Sequence, residues 1–240
     1  MNPPRSNVAK VLAVDVETTG QTERTGTLVE FGAAVWRVGA KTPDATFYAY
    51  LGTDGAVWCA RTRLEFWDNA THGAGGKTPL ALLRERVARD AIEPLSREAA
   101  AHRFVAWARA QYAAADERMI VVTDTSGFDH AFLSGLLAEH QETAPCAAAA
   151  AKPYSLNYLF GAYAPVRDIN SFYLGVGGEL RKWGARDRMM RLLGVDELPV
   201  WVRAYEHTHN PLDDANSIGA KVSFFLSRGG GDATRQKPAE

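Results

Sequence analysis

Three apolar segments near the start of the chain constrain its fold more than any other feature. Residues 10–16, 28–38 and 46–51 are rich in Val, Ala and aromatic side chains, and turns rich in Gly, Pro or Thr bound each of them. Short apolar runs of this kind are typical of buried β-strands. The sequence therefore predicts that the fold begins with three consecutive strands.

Helical periodicity follows the third predicted strand. Apolar residues recur at helical spacing over 79–92 and 96–115, and Ser96 is placed to cap the second of these helices. The remaining predicted elements are a buried strand over 119–123, a helix from about 128 to 140, segments 154–163 and 168–176, a basic helix near 179–193 and an amphipathic helix over 211–226. This order indicates an α/β fold in which helices flank a mixed sheet.

Length and composition indicate a single globular domain. The chain has 240 residues, of which 46% are hydrophobic and 23% are charged, as expected for one buried core. We expect a flexible N-terminus over 1–7, a folded domain over 8–228 and a disordered Gly-rich tail over 229–240. The sequence has no signal-like or membrane-spanning segment, and Cys59 and Cys146 provide no disulfide framework. These features favour a soluble, cytoplasmic protein.

The charge balance restricts the kind of partner. A formal net charge of −1 argues against sequence-blind coating of nucleic acid, which usually requires a strongly basic domain. It remains compatible with an enzyme that holds a few nucleotides at one end. Two groups of basic residues could contact phosphates, although most such charges lie on solvated helix faces. These groups are Arg84, Arg86 and Arg89, and Arg181, Lys182, Arg186, Arg188 and Arg191.

An acidic pair ends the first predicted strand. Because side chains alternate across a strand, Asp15 and Glu17 point to the same face, with their Cα atoms roughly 7 Å apart. Two carboxylates on a buried face repel each other and lose solvation, and a bound divalent cation removes both costs. Acidic pairs are also common at strand ends that reach solvent, so this pair alone does not establish a metal site.

A second carboxylate lies at the start of the helix predicted from about residue 128. On a helical projection Asp129 shares a side with Phe132, Leu133 and Leu136, so it points towards the core. The same position suits a helix cap, because a carboxylate interacts favourably with the N-terminal end of the helix dipole. The residues alone leave a cap and a metal ligand equally open.

A third acidic group begins the last predicted helix, with a histidine just ahead of it. Helical periodicity only slightly favours Asp214 over Asp213 as the residue that faces the core. His209 precedes this helix in a loop. An imidazole near neutral pH can act as a general base beside a metal site, although an isolated histidine more often has a structural role.

Together these motifs resemble the DEDDh superfamily of 3′-to-5′ exonucleases over about residues 8–228. The matching residues, in chain order, are Asp15-x-Glu17-Thr-Thr-Gly20, Phe128-Asp129 and His209-x-x-x-x-Asp214-Ala215. The segments 63–69 and 167–171 are similar to those of the group that includes phage exonuclease A and mycobacterial exoribonuclease-like domains. One departure is Val122-Thr-Asp124-Thr-Ser-Gly127, which stands where the family often carries Asn or a Trp-Gly pair, and it puts substrate preference in doubt.

The resemblance implies a ribonuclease H-like fold with a mixed five-stranded sheet, and it selects Asp214 over Asp213. It also implies two Mg²⁺ or Mn²⁺ ions held by four carboxylates, with His209 as the general base. The ligands would be Asp15, Glu17, Asp129 and Asp214. The implied substrate is single-stranded nucleic acid with a free 3′ end, and RNA is favoured over DNA only through the exoribonuclease-like resemblance.

Substrate contacts are expected from two regions. The backbone around Thr18 and Thr19 and the Phe128 side chain would meet the terminal nucleotide. Phe66 and Trp67 could form an exposed aromatic pair that stacks on a base, although packing in the core is the more common fate of such residues. Two other functions stay open: a proofreading subunit that acts with a polymerase, and a binding module on a degenerate nuclease fold. The sequence also leaves a homodimer open.

Overall fold

The computed structural model describes residues 8–111, 118–140, 166–169, 190–191 and 193–229. Several predicted segments lie wholly or largely outside the described residues: the N-terminus 1–7, segments 154–163 and 168–176, the basic helix near 179–193 and the tail over 229–240. No helix within the described ranges combines the length and apolar character that a membrane span requires.

The described residues form a five-stranded mixed sheet with the order β3-β2-β1-β4-β5. Strands β1, β2 and β3 pair antiparallel, whereas β4 pairs parallel to β1 and β5 parallel to β4. The strands are β1 Val8–Thr18, β2 Leu28–Arg37, β3 Ala45–Tyr50, β4 Arg118–Thr123 and the short β5 Val166–Asp168. The predicted α/β architecture with three opening strands is confirmed.

Six described α-helices accompany these strands. They are α1 Ala60–Thr62, α2 Pro79–Arg89, α3 Arg97–Gln111, α4 Ala131–Glu139, α5 Val200–Arg203 and α6 Pro211–Gly229. Two π-helical turns, Arg63–Trp67 and Ser126–His130, follow α1 and precede α4. The predicted cap of the second long helix is confirmed, because the Ser96 hydroxyl accepts a hydrogen bond from the Ala99 amide at 3.1 Å.

Both faces of the central strand are buried, which explains its near-continuous apolar sequence. Leu12 and Val14 pack on one face with residues of α3 and α4. Val11 and Ala13 pack on the other face with residues of α6. Asp15 and Glu17 continue the alternation of Val11 and Ala13, so their side chains belong to the face that α6 covers.

A glycine in β2 brings the start of α6 against the sheet. Gly32 is paired with Asp15 in the neighbouring strand, and a Cβ atom at residue 32 would collide with the backbone of Pro211 and Leu212. The helix can therefore begin in direct contact with β2, which places its first turn beside the acidic end of β1.

Candidate active site

Four carboxylates converge where β1 ends, and we call them the acidic cluster. Asp15 and Glu17 come from β1, Asp129 from the π-helical turn after β4, and Asp214 from the first turn of α6. All four side chains are buried. Ligand oxygens of Asp15, Glu17 and Asp214 lie within 4.8 Å of one another. The predicted inward orientation of Asp129 and Asp214 is confirmed, whereas Asp213 is exposed.

Burial and mutual repulsion dominate the electrostatics of the acidic cluster. Desolvation raises the pKa of Asp15 well above its ordinary value, and the neighbouring Asp129, Glu17 and Asp214 raise it further. The pKa of Glu17 is also raised well above normal, first by burial and then by Glu30. Without a cation, the fully ionised cluster is therefore costly to hold together.

The donor set fits a hard divalent cation. Mg²⁺ and Mn²⁺ prefer carboxylate oxygens, and the cluster supplies several within reach of one ion. The Asp214 side chain is 1% exposed, and its Oδ2 atom is buried with no hydrogen-bond partner among the described residues. Because an unpaired buried carboxylate oxygen is unfavourable, this atom needs a cation or a proton.

Asp129 makes a capping hydrogen bond and also lies in the acidic cluster. Its Oδ2 atom accepts a hydrogen bond from the Thr125 amide at 2.9 Å, which is a capping interaction at the start of the turn. The carboxylate is nevertheless buried beside Asp15, whose pKa it raises. The cap therefore orients this side chain towards the acidic cluster.

His209 lies at the edge of the acidic cluster. Its Nδ1 atom is 3.8 Å from Glu17 Oε1, and its backbone has a φ of 58°, a left-handed conformation uncommon for a residue with a side chain. Burial and the neighbouring His207 lower the pKa of His209. Its imidazole is therefore neutral near pH 7 and able to accept a proton.

His207 was not predicted to belong to this site, yet it contacts the acidic cluster. Its Nδ1 atom is 3.1 Å from Asp214 Oδ1, and its ring centroid is 4.4 Å from that of His209. Hydrogen bonding to Asp214 raises the pKa of His207. The His-x-His spacing in the sequence could have drawn attention to this residue, but only the loop conformation brings both rings to one carboxylate.

Comparison with known proteins identifies the fold. No family model matches the sequence, and no curated protein matches it. A 3′-exonuclease solved in a study of 3′-end recognition of a histone mRNA stem-loop matches with 14% identity and a TM-score of 0.50. The match covers 95% of this chain and 67% of that chain. The chain shares that exonuclease's fold. The fold expected from the motifs is thereby confirmed.

Two further solved structures are similar at lower scores. The nuclease domain of 3′hExo, a DEDDh family member bound to rAMP, is 13% identical with a TM-score of 0.48, over 91% of this chain and 92% of that chain. Exonuclease I from Methylocaldum szegediense is 15% identical with a TM-score of 0.46, over 92% of this chain and 40% of that chain.

The expected aromatic pair does not form a stacking surface. Trp67 is only 1% exposed, packs with Val29, Leu80 and Leu83, and donates from its indole nitrogen to the Thr18 carbonyl at 2.8 Å. Of the two fates left open for Trp67, packing in the core is the one observed, so Trp67 does not join the expected substrate contacts. Phe66 is half-buried, and its ring centroid is 4.9 Å from that of His209.

The segment after Glu17 is fixed by internal hydrogen bonds. The Thr19 amide donates to the Thr27 carbonyl at 3.0 Å, and the Thr19 carbonyl accepts from the Cys59 amide at 3.0 Å. The Thr18 carbonyl is already bonded to Trp67. These three backbone groups already have partners, and both residues are buried. Their hydroxyls are also engaged, since the Thr18 hydroxyl donates to the Gly20 carbonyl and the Thr19 hydroxyl donates to the Val57 carbonyl. Contact of this segment with a nucleotide therefore stays a prediction.

Phe128, the remaining expected substrate contact, is half-buried and packs edge-on against Phe132, with ring centroids 5.2 Å apart. It also packs against the apolar cluster that Val16 and Phe132 share with α3 and α4. Contact of the Phe128 ring with a nucleotide therefore stays a prediction.

A buried ion pair supports the site from behind, and the sequence did not reveal it. Glu30 on β2 is fully buried, and its Oε2 atom accepts hydrogen bonds from the Tyr48 hydroxyl at 2.5 Å and from the Arg86 guanidinium. Arg86 is thus paired with buried Glu30 and does not join the phosphate-contacting group that the sequence left open for Arg84, Arg86 and Arg89. The only sequence signal for this ion pair was that Glu30, an acidic residue, lies inside the apolar run 28–38.

Proposed function

We propose that this chain is a metal-dependent 3′-to-5′ exonuclease that removes nucleotides from the end of single-stranded nucleic acid. The observation that carries the proposal is the convergence of four buried carboxylates with a neutral imidazole at the edge of an exonuclease-like sheet. The fold alone would not suffice, since one fold hosts many functions. The residue types and their burial support phosphodiester hydrolysis.

The acidic cluster would hold two Mg²⁺ or Mn²⁺ ions. Asp15 would serve both ions, Glu17 and Asp214 would serve one of them, and Asp129 would serve the other. When bound, the ions supply stabilisation of charge on the attacking and leaving oxygens of an in-line displacement. The four carboxylates fix where that charge is stabilised, because β1, the turn before α4 and α6 hold their side chains in the buried interior.

His209 acts as the general base. Its neutral imidazole accepts a proton from the attacking water, and Glu17 nearby stabilises the imidazolium that results. The position of the ring depends on the unusual backbone conformation of the loop before α6. The loop before α6 therefore supplies the proton acceptor His209, and the adjoining first turn of α6 supplies the metal ligand Asp214.

The substrate is a free single-stranded 3′ end. The final phosphodiester must separate from a complementary strand to reach carboxylates that are this deeply buried. Phe66, whose ring lies beside His209, and Phe128, which precedes Asp129 in the chain, are half-buried aromatic residues. Stacking of a base on one of them would stabilise binding by roughly 1–3 kcal/mol without selecting a base. RNA is favoured over DNA through the exoribonuclease-like resemblance. A homodimer and a polymerase partner both remain compatible with this proposal.

Substitution of two acidic residues tests the proposal. Asp15→Asn removes a shared ligand charge, so turnover of a single-stranded substrate in Mg²⁺ should collapse while circular dichroism and monodispersity are retained. Asp213→Asn is the matched control, since Asp213 is an exposed carboxylate one residue before Asp214, and it should keep its activity. Wild-type turnover by folded Asp15→Asn would refute the proposal.

A further inference from the structure

Two groups of potential metal ligands share one carboxylate. The first is the set Asp15, Glu17 and Asp214 within the acidic cluster, and the second is His207, His209 and Asp214. In the second group as well, the ligand atoms all lie within 4.8 Å of one another. Asp214 can therefore be approached by a cation from the carboxylate side or from the histidine side.

The loop before α6 is folded around the Asp214 carboxylate. The Thr208 amide, between the two histidines, donates to Asp214 Oδ1 at 2.8 Å, and His207 Nδ1 is 3.1 Å from the same oxygen. The Thr208 hydroxyl also donates to Asp213 Oδ2 at 2.9 Å. These bonds hold the loop that carries the two imidazoles against Asp214, as supporting hydrogen bonds do in metal sites.

The two groups differ in the chemistry of their donors. An all-carboxylate set suits Mg²⁺ or Mn²⁺, whereas two imidazoles and one carboxylate form a donor set typical of zinc. Zinc–ligand bonds of about 2.0–2.2 Å place tetrahedral ligands roughly 3.4 Å apart, so ligand atoms that lie within 4.8 Å of one another need to approach by at most about 1.4 Å. His207 can make such a shift because its side chain is 57% exposed.

Asp214 supplies an independent reason to expect a cation here. Its carboxylate is almost fully buried, and its Oδ2 atom has no hydrogen-bond partner among the described residues. One oxygen is thus oriented by the histidine loop while the other is unsatisfied. A cation bound on either side would compensate this buried charge.

We propose that His207, His209 and Asp214 form a zinc site whose occupation switches off the enzyme. Zinc would occupy the His209 lone pair that the reaction needs for proton transfer, and it would draw Asp214 away from the carboxylate set. The inhibitory consequence rests on the proposed nuclease function, whereas zinc binding itself does not. Three protein ligands leave the fourth tetrahedral position of zinc open to water.

Measurements of metal binding distinguish this histidine site from the acidic cluster. Zn²⁺ affinity is measured on the full chain by competition with a chromogenic chelator in excess Mg²⁺, and Co²⁺ is used as a spectroscopic probe of imidazole coordination. The proteins compared are wild type, His207→Ala, His207→Gln, Asp15→Asn and His72→Ala. His72 is the matched control, because its ring lies 6.1 Å from that of His209 but it is not in either ligand group.

The proposal predicts that both His207 variants lose zinc affinity by at least about tenfold, the loss seen even when a supporting residue of a metal site is removed. His72→Ala should bind zinc as wild type does. Asp15→Asn should bind zinc at least as tightly as wild type, because it weakens the Mg²⁺ set that competes for Asp214. The visible spectrum of bound Co²⁺ should change only in the His207 variants. Zinc that binds wild type and both His207 variants equally, but not Asp15→Asn, would place the ion in the acidic cluster and overturn the proposal.

Inhibition of nuclease turnover by zinc is measured in a separate experiment. In excess Mg²⁺, the zinc concentration that halves turnover should rise at least about tenfold in His207→Ala relative to wild type. Equal zinc sensitivity of the two proteins would overturn the switch. A wild-type chain without nuclease activity in Mg²⁺ would contradict the proposed function instead, and the binding measurements would still decide whether the zinc site exists.

Discussion

Glu30 lies directly opposite Glu17 in the β1–β2 pair, so two carboxylates face each other across neighbouring strands. Like charges in this arrangement repel, and Glu30 accordingly raises the pKa of Glu17. Arg86 on α2 has the opposite effect on Glu17 and is itself hydrogen-bonded to Glu30. Pairing with Arg86 therefore lowers the free-energy cost of burying the Glu30 charge next to Glu17.

Removal of Arg86 should destabilise the fold and do so most at neutral pH. Burial raises the pKa of Glu30, and Arg86 opposes that shift, so Arg86→Met leaves Glu30 either as an unpaired buried charge or as a protonated acid. The expected loss is about 3 kcal/mol near pH 7, measured by urea unfolding. It should shrink in acid, where Glu30 takes up a proton.

Arg84→Met is the control, because Arg84 is an exposed arginine on the same helix. It should unfold at nearly the same urea concentration as wild type. A similar loss in both variants would mean that α2 needs arginine in general and that the Glu30 pair contributes nothing specific.

The metal-free protein should lose stability as pH rises. The pKa values of Asp15 and Glu17 are raised in the folded state, so the folded protein binds more protons than the unfolded chain between the ordinary and the raised pKa. The contribution of Asp15 and Glu17 to the free energy of unfolding is fully present below about pH 4. It is lost as pH rises through their raised pKa values.

Melting temperatures in EDTA across this pH range test the sign of that dependence. The melting temperature of wild type should fall relative to that of Asp15→Asn as pH rises. Saturating Mg²⁺ should remove most of this difference. A wild-type protein that gains stability relative to Asp15→Asn at higher pH would contradict a self-repelling cluster.

The strands and the acidic pair were predictable because burial leaves a direct pattern in the sequence. Val11 to Val14 are apolar since both faces of β1 are covered, and strand alternation alone puts Asp15 and Glu17 on one face. The fold and the inward orientation of Asp214 followed from the order of the motifs. The strand pattern depends on residues that are close in sequence, and the motif order depends on short segments that are each recognisable locally.

Long-range contacts and backbone conformation were not predictable. Trp67 looked accessible because polar residues follow it, but its indole meets the Thr18 carbonyl, 49 residues away. The Glu30–Arg86 contact joins residues 56 apart. His207 reaches Asp214 only through a loop in which His209 adopts a positive φ, and no periodicity encodes such a loop.

Substitution of Trp67 should mainly lower stability, whereas substitution of Phe66 should mainly weaken substrate binding. Trp67→Ala removes a buried aromatic side chain, so the free energy of unfolding should fall by about 3–5 kcal/mol. Phe66→Ala should change stability less and raise KM for a single-stranded substrate. Urea unfolding and steady-state kinetics measure the two effects. An unchanged KM in Phe66→Ala would exclude stacking on this ring.

His209 and His207 should be distinguishable by kinetics in zinc-free buffer. His209→Ala should lower kcat by about 100-fold or more, the scale of a lost general base, and His207→Ala should cost far less. Because the pKa of His209 is lowered, wild-type activity should decline only as pH falls below the ordinary histidine range. Equal small losses in both variants would remove His209 from the mechanism.

Digestion of end-labelled substrates tests the central claim most directly. Single-stranded RNA, single-stranded DNA and a blunt duplex, each labelled at the 5′ end, are incubated with the full chain in Mg²⁺ or Mn²⁺. The account predicts stepwise shortening from the 3′ end with release of mononucleotides, faster on single strands than on the duplex, and lost in EDTA and in Asp15→Asn. Internal cleavage, shortening from the 5′ end, or faster loss of the blunt duplex would contradict it.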